Sequence, residues 1–90
     1  MQLSTIHVKV SGVTDNIRHM RRAKDYTQAY MAQHLDISQT TYSNIESGSV
    51  ALTLDRFLAI AQILDVDTKE LLAAPMPEND FPAVDQSFED

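Results

Sequence analysis

Between residues 38 and 44 the chain sets out Ser38, Gln39, Thr40, Thr41, Tyr42, Ser43 and Asn44, a run of neutral hydrogen-bonding side chains around a single aromatic ring. A carboxamide carries a donor and an acceptor side by side. Gln39 and Asn44 can therefore each make a paired hydrogen bond to the N6 and N7 edge of adenine, while Thr40 offers a hydroxyl and a methyl group that suits thymine. Ser43 adds a small hydroxyl between them. A polar helix face can also be simply solvated, but such faces usually carry long charged side chains that support the helix through i,i+4 pairs. This one carries neither Lys nor Glu among those seven residues.

Other chemistries find no support. The three histidines, His7, His19 and His34, lack metal-ligand spacing, there is no cysteine, and neither a glycine-rich phosphate loop nor a nucleophile motif occurs. No enzyme, cofactor or metal is expected. His19 and His34 read as surface residues.

The elements that must position the polar run follow from periodicity. Ile17, Met20, Arg21 and Lys24 keep helical spacing over 14–24, with Thr14 or Asp15 as N-cap and Asp25 at the end. Thr27 caps a short helix whose face is Met31, Ala32 and Leu35. Asp36-Ile37 interrupts it, Ser38 caps a third helix over 39–47 with Tyr42 and Ile45 inward, and Gly48 ends that helix. Thr53 caps a fourth helix with a stripe of Leu54, Phe57, Leu58, Ala61 and Leu64, and Asp67-Thr68-Lys69-Glu70 reads as a capping box opening a fifth. The reading is all-α, five helices over 14–73. Ahead of them, 1–13 form an N-terminal arm in which Ile6, Val8 and Val10 alternate as a short strand would; a lone strand would need a second copy, or the segment is an extended arm.

The chain has 90 residues, room for one small core, and a dimer would add burial that so small a domain lacks. Its net charge is −6, unevenly spread. Residues 1–52 hold five bases against four acids, whereas 53–90 hold Arg56 and Lys69 against nine acids. The tail, 74–90, follows Pro75 and Pro77 with five acids and no base, and Phe81, Val84 and Phe88 give it apolar points that a protein partner could use. No stretch nears the ~20 apolar residues of a membrane span, and the first residues lack an export signal. With no cysteine, a cytoplasmic location is expected.

Two helices joined by a very short turn, 27–35 and 38–47, with small Ala32 where their axes cross, have helix-turn-helix spacing. Ile17 to Arg21, Thr27-Gln28-Ala29, Met31-Ala32, Leu35, Ile37-Ser38-Gln39, Tyr42, Ile45-Glu46 and Gly48 resemble the Cro and phage-repressor (XRE) family, and Leu54, Phe57, Ile60-Ala61, Leu64 and Leu71 resemble its last two helices. The likeness covers about 17–72. It implies a lambda-repressor-like fold whose third helix lies in the major groove of double-stranded DNA, with Gln39, Thr40, Ser43 and Asn44 toward the bases. It further implies that Gln28 contacts phosphate and that Arg21 and Glu46 form a structural ion pair; Arg18, Arg22 and Lys24 beside Arg21, with Ser38 and Ser49, are the other candidates for phosphate contacts, although a charge run on a helix is more often a solvated face. Asp25 and Asp36 stand where the family commonly has glycine, and the loop after helix three lacks the family's frequent basic residues. The implied function is a transcriptional repressor acting as a homodimer. An antitoxin whose acidic tail neutralises a toxin, or an interaction module that has lost DNA binding, are the other readings, and a neighbouring toxin gene or failure to bind random duplex would separate them.

Overall fold

The structure, a computed structural model, describes residues 10–73. Five helices follow one another: α1 Val10–Ala23, α2 Gln28–Leu35, α3 Gln39–Ser47, α4 Leu54–Leu64 and α5 Thr68–Leu72. There is no strand among the described residues.

The helix α1 begins four residues earlier than the pattern of 14–24 predicts. Val13, Thr14, Ile17 and Arg21 form its buried stripe, so the i,i+4 spacing from Val13 to Ile17 extends the helix backward through residues that alternation at 6, 8 and 10 assigns to an arm or strand. Thr14 is accordingly no cap: it is buried and its Oγ1 donates to the Ser11 carbonyl at 3.1 Å. Residues 1–9 of the arm, and the tail from 74, lie outside the described residues.

Three of the four connections share one device. At Asp25-Tyr26-Thr27, Asp36-Ile37-Ser38 and Asp65-Val66-Asp67 an aspartate adopts the left-handed conformation, with φ of 60°, 59° and 56°. An apolar residue follows, then the N-cap of the next helix. Each forms the paired hydrogen bonds of a Schellman ending: Tyr26, Ile37 and Val66 donate to the carbonyls of Arg21, Ala32 and Ala61 at 3.0 to 3.1 Å, and each aspartate N–H reaches back three residues. The apolar middle residues pack against the core, so each turn is pinned by burial as well as by hydrogen bonds. The fourth connection uses Gly48 at φ 87°, where any Cβ would be strained.

The N-caps of α2, α3 and α4 are those the sequence indicates, and at α5, among the described residues, Asp67 caps without the reciprocal bond from Glu70 that a capping box needs. Thr27, Ser38 and Thr53 each accept the N–H three residues on, and Asp67 Oδ1 accepts that of Lys69. In α4 the buried residues are Phe57, Ile60, Ala61 and Leu64; Leu54 and Leu58, expected in the stripe, are 70% and 48% exposed. Eight of the eleven positions of α4 are apolar, so spacing alone leaves its core side undecided, and packing against α1, α2 and α5 settles it. A central cluster of Ile17, Met31, Tyr42, Ile60, Leu64 and Leu71 joins all five helices. Asn16 closes the ring by donating from Nδ2 to the carbonyls of Leu71 and Ala73, tying α5 to α1.

Candidate nucleic-acid interface

The helix α3 packs on α2 and α1 through Tyr42, Ile45 and Glu46, all buried. Its orientation is set beneath the surface by one carboxylate. Arg21 Nε lies 2.7 Å from Glu46 Oε2 and its Nη2 3.2 Å from Oε1, a forked pair that geometry favours for arginine. Tyr42 donates its hydroxyl to Oε2 at 2.5 Å, and Gln28 donates from Nε2 to Oε1 at 3.2 Å. Arg21 also donates to the Tyr26 carbonyl at 2.9 Å. One buried acid thus ties α1, the α1–α2 turn, α2 and α3 together.

Burial by itself would push the Glu46 carboxyl up, but hydrogen bonds from Arg21, Tyr42 and Gln28 and the charge of Arg21 outweigh it and hold the group below the usual carboxylate range. The hydrogen bond to Glu46 raises Arg21 above its ordinary value against a smaller cost of burial. Burial first, then the bond to Glu46, pushes the Tyr42 hydroxyl far up, so it stays a proton donor.

The outward side of α3 carries Gln39 and Thr40, both exposed, and Ser43 and Asn44, half-buried. No side-chain hydrogen bond engages any of the four among the described residues. The other polar groups of this region are occupied. Ser38 Oγ accepts from the Thr41 N–H and donates to Thr41 Oγ1 at 2.8 Å, and Ser47 Oγ donates to the Asn44 carbonyl. Ser49 Oγ lies 3.0 Å from Ser47 Oγ in the exposed turn after α3.

The residues expected to meet phosphate divide. Arg22 and Lys24 are exposed at the end of α1, with no side-chain partner among the described residues. Arg18 is engaged within the fold instead: Nη1 donates to Asp15 Oδ1 at 3.0 Å and Nη2 to the Glu46 carbonyl at 3.1 Å, so it caps the end of α3. This link needs α1 and α3 side by side, and spacing along α1 gives no sign of it. Gln28 spends one amide hydrogen on Glu46 and keeps the other, at the N-terminus of α2.

Tyr30, partly buried, is stacked between Tyr26 and His34 with ring centroids 4.1 Å apart on each side. His34 Nδ1 lies 2.9 Å from the Tyr30 carbonyl, which can only accept, so that nitrogen bears hydrogen. His19 and His34 are both exposed. No group of potential metal ligands occurs among the described residues, and no described helix is long and apolar enough to cross a membrane.

The helix-turn-helix family profile matches residues 17–71. The cryptic phage CTXphi transcriptional repressor RstR of Vibrio cholerae serotype O1 is 34% identical over 59 residues, which cover 66% of this chain and 53% of the repressor. The chain thus spans about half the length of that relative. No solved structure matches it. The matched stretch holds α2, the Asp36-Ile37-Ser38 turn, α3 and the helices that buttress them, and on that footing the chain belongs to the helix-turn-helix family.

Proposed function

We propose that the protein is a sequence-specific, double-stranded DNA-binding transcriptional repressor that reads the major groove with α3. The observation that carries this is the division of labour on α3: Tyr42, Ile45 and Glu46 are buried and Ser38, Thr41 and Ser47 bond within the protein, while Gln39, Thr40, Ser43 and Asn44 have no protein partner. Those four are the base-contacting set. The carboxamides suit adenine, and the lack of any charged side chain among them favours A·T pairs over guanine, which Arg or Lys reads best.

Phosphate contacts fall to Arg22 and Lys24, to the remaining amide hydrogen of Gln28, and to Ser49 and the first backbone amides of α2 and α3, Ser38 having its hydroxyl hydrogen on Thr41. So few cations release few counterions, so one copy binds weakly. A homodimer on a two-fold operator, in the cytoplasm, supplies the missing affinity by engaging two half-sites. Repression is favoured over activation by the likeness to a phage repressor.

The experiment is selection of bound duplexes from a random DNA pool at low ionic strength, followed by a fluorescence titration of the winner. A two-fold enriched sequence with A·T pairs at the contacted positions is expected. Failure to retain any duplex sinks the proposal and leaves the protein-interaction reading.

A further inference from the structure

On the side of α4 turned away from the core, Leu58 is 48% exposed and Leu54, one turn earlier on the same face, is 70% exposed. They are the two largest apolar side chains that α4 gives to solvent. Beside them runs an open groove of about 640 Å³ lined by the apolar Leu58, Ala59, Ala61 and Val66 and by the polar Gln62 and Thr68. Asp55 and Asp65 stand on its rim. Neither carboxylate has a hydrogen-bond or ion-pair partner through its side chain among the described residues. The helix α4 packs on α1, α2 and α5 and not on α3, so the groove is separate from the outward face of α3.

A partly apolar groove bordered by unpaired carboxylates selects its occupant by charge. A second copy of the chain, docked about a two-fold axis, would set Asp55 and Asp65 against the same carboxylates of its partner in a contact that excludes water. The chain's own segment 74–90 carries Glu78, Asp80, Asp85, Glu89 and Asp90 and no base, so it too meets the rim with like charge. A cationic partner relieves both carboxylates at once and is drawn in by the net charge of −6. The groove lies along one helix face, where a second helix buries side chains spaced one turn apart. We propose that the α4 groove receives a basic amphipathic helix of a partner protein, with apolar side chains at i and i+4 over Leu58 and lysine or arginine opposite Asp55 and Asp65.

The test is an NMR titration of the full chain, ¹⁵N-labelled, with a synthetic helical peptide bearing leucines at i and i+4 and lysines on its remaining face. The control is the same peptide with every lysine replaced by glutamate. The lysine peptide should move amides within residues 54–68 and the glutamate peptide should not. Leu58→Ser and Asp55→Lys, both at exposed positions, should each weaken binding about tenfold with the melting temperature kept, since one removes an anchor and the other reverses a rim charge. Equal binding of the two peptides, or shifts centred outside 54–68, overturns the proposal. So does concentration-dependent broadening of the Leu54 and Leu58 amides in the free chain, which assigns the face to a second copy. Movement of the same amides when 76–90 is deleted assigns it to the chain's own tail.

Discussion

Arg21 and Glu46 meet in a two-point ion pair although 25 positions separate them, with Nε 2.7 Å from one carboxylate oxygen and Nη2 3.2 Å from the other. Glu46 is 2% exposed and Arg21 8%, so water does little to screen the contact. Tyr42 and Gln28 donate to the same carboxylate, and Arg18 Nε lies 3.9 Å from its Oε1. The helix α3 is therefore held in place from below by a buried, hydrogen-bonded charge.

Removing one partner leaves the other charged and buried. Arg21→Met should lower unfolding free energy by about 3–5 kcal/mol, a large share of the stability of a domain this small. Tyr42→Phe, which deletes one hydrogen bond to the carboxylate, should cost ~1.5–3 kcal/mol. Urea unfolding of both variants checks the pair, and losses under ~1 kcal/mol in both would refute it.

The depressed Glu46 carboxyl predicts an acid transition of definite sign. Its folded-state value lies below that of the unfolded chain, near the ordinary glutamate value of about 4.3, so the unfolded state binds the proton first. Its stabilisation is fully present above that value and is lost as pH falls through the folded one. Melting temperature against pH should drop below about pH 4, and Glu46→Gln, already less stable at neutral pH, should show a shallower acid slope. An identical slope in the variant would assign the transition to other groups.

Local chemistry was the readable part of this chain. Thr27, Ser38 and Thr53 cap helices because a hydroxyl before a helical run has one nearby job, and Gly48 ends α3 because φ is 87° there. What depends on a neighbour was less legible. The alternation at Ile6, Val8 and Val10 runs into the helical pair Val13 and Ile17 three residues on, and α1 takes Val10 into the helix. In α4, Leu54 and Leu58 satisfy the same spacing as Phe57, Ile60 and Ala61, and only the position of α1, α2 and α5 tells them apart. At the site, the polar run on α3 is visible in residue types alone. The Arg21–Glu46 link enters through family likeness, whereas the bonds of Arg18 to the Glu46 carbonyl and of Gln28 to its side chain arise only when α1, α2 and α3 are assembled. Asp65 repeats the turn at Asp25 and Asp36, a signal that lies in the matched Asp-apolar-cap spacing of the three connections.

Those three aspartates carry a cost that glycine would relieve. A left-handed residue with a Cβ is disfavoured by roughly 1–2 kcal/mol, and a carboxylate at a helix C-terminus also opposes the helix dipole. Part of the gain from glycine is lost to the greater freedom of the unfolded chain. Asp36→Gly should therefore stabilise by about 0.5–1 kcal/mol, read as a raised melting temperature. A lowered one would show that the Asp36 side chain holds the turn in some other way.

Gln39→Ala and Asn44→Ala should each weaken binding to the selected duplex by ~1–3 kcal/mol and relax the preference at one base pair, as loss of a paired base contact does. Binding to random duplex should change little. Arg22→Ala should do the opposite, weakening all duplexes alike and lowering the salt dependence. Unchanged selectivity in both carboxamide variants would move the base-reading role off this face of α3.

Deleting residues 76–90 separates two readings of the acidic tail. The domain is closed upstream of it, because Asn16 already holds the Leu71 and Ala73 carbonyls and Leu71 is fully buried. The melting temperature should therefore stay nearly unchanged. Glu78, Asp80, Asp85, Glu89 and Asp90 repel phosphate wherever they come within a Debye length of about 10 Å of bound DNA. The truncated chain should then bind duplex more tightly at low salt, with the difference vanishing as salt rises. A marked loss of stability would instead place Phe81 or Phe88 in a packing contact with the domain or a second copy, and equal affinity at low salt would show that the tail never approaches the DNA.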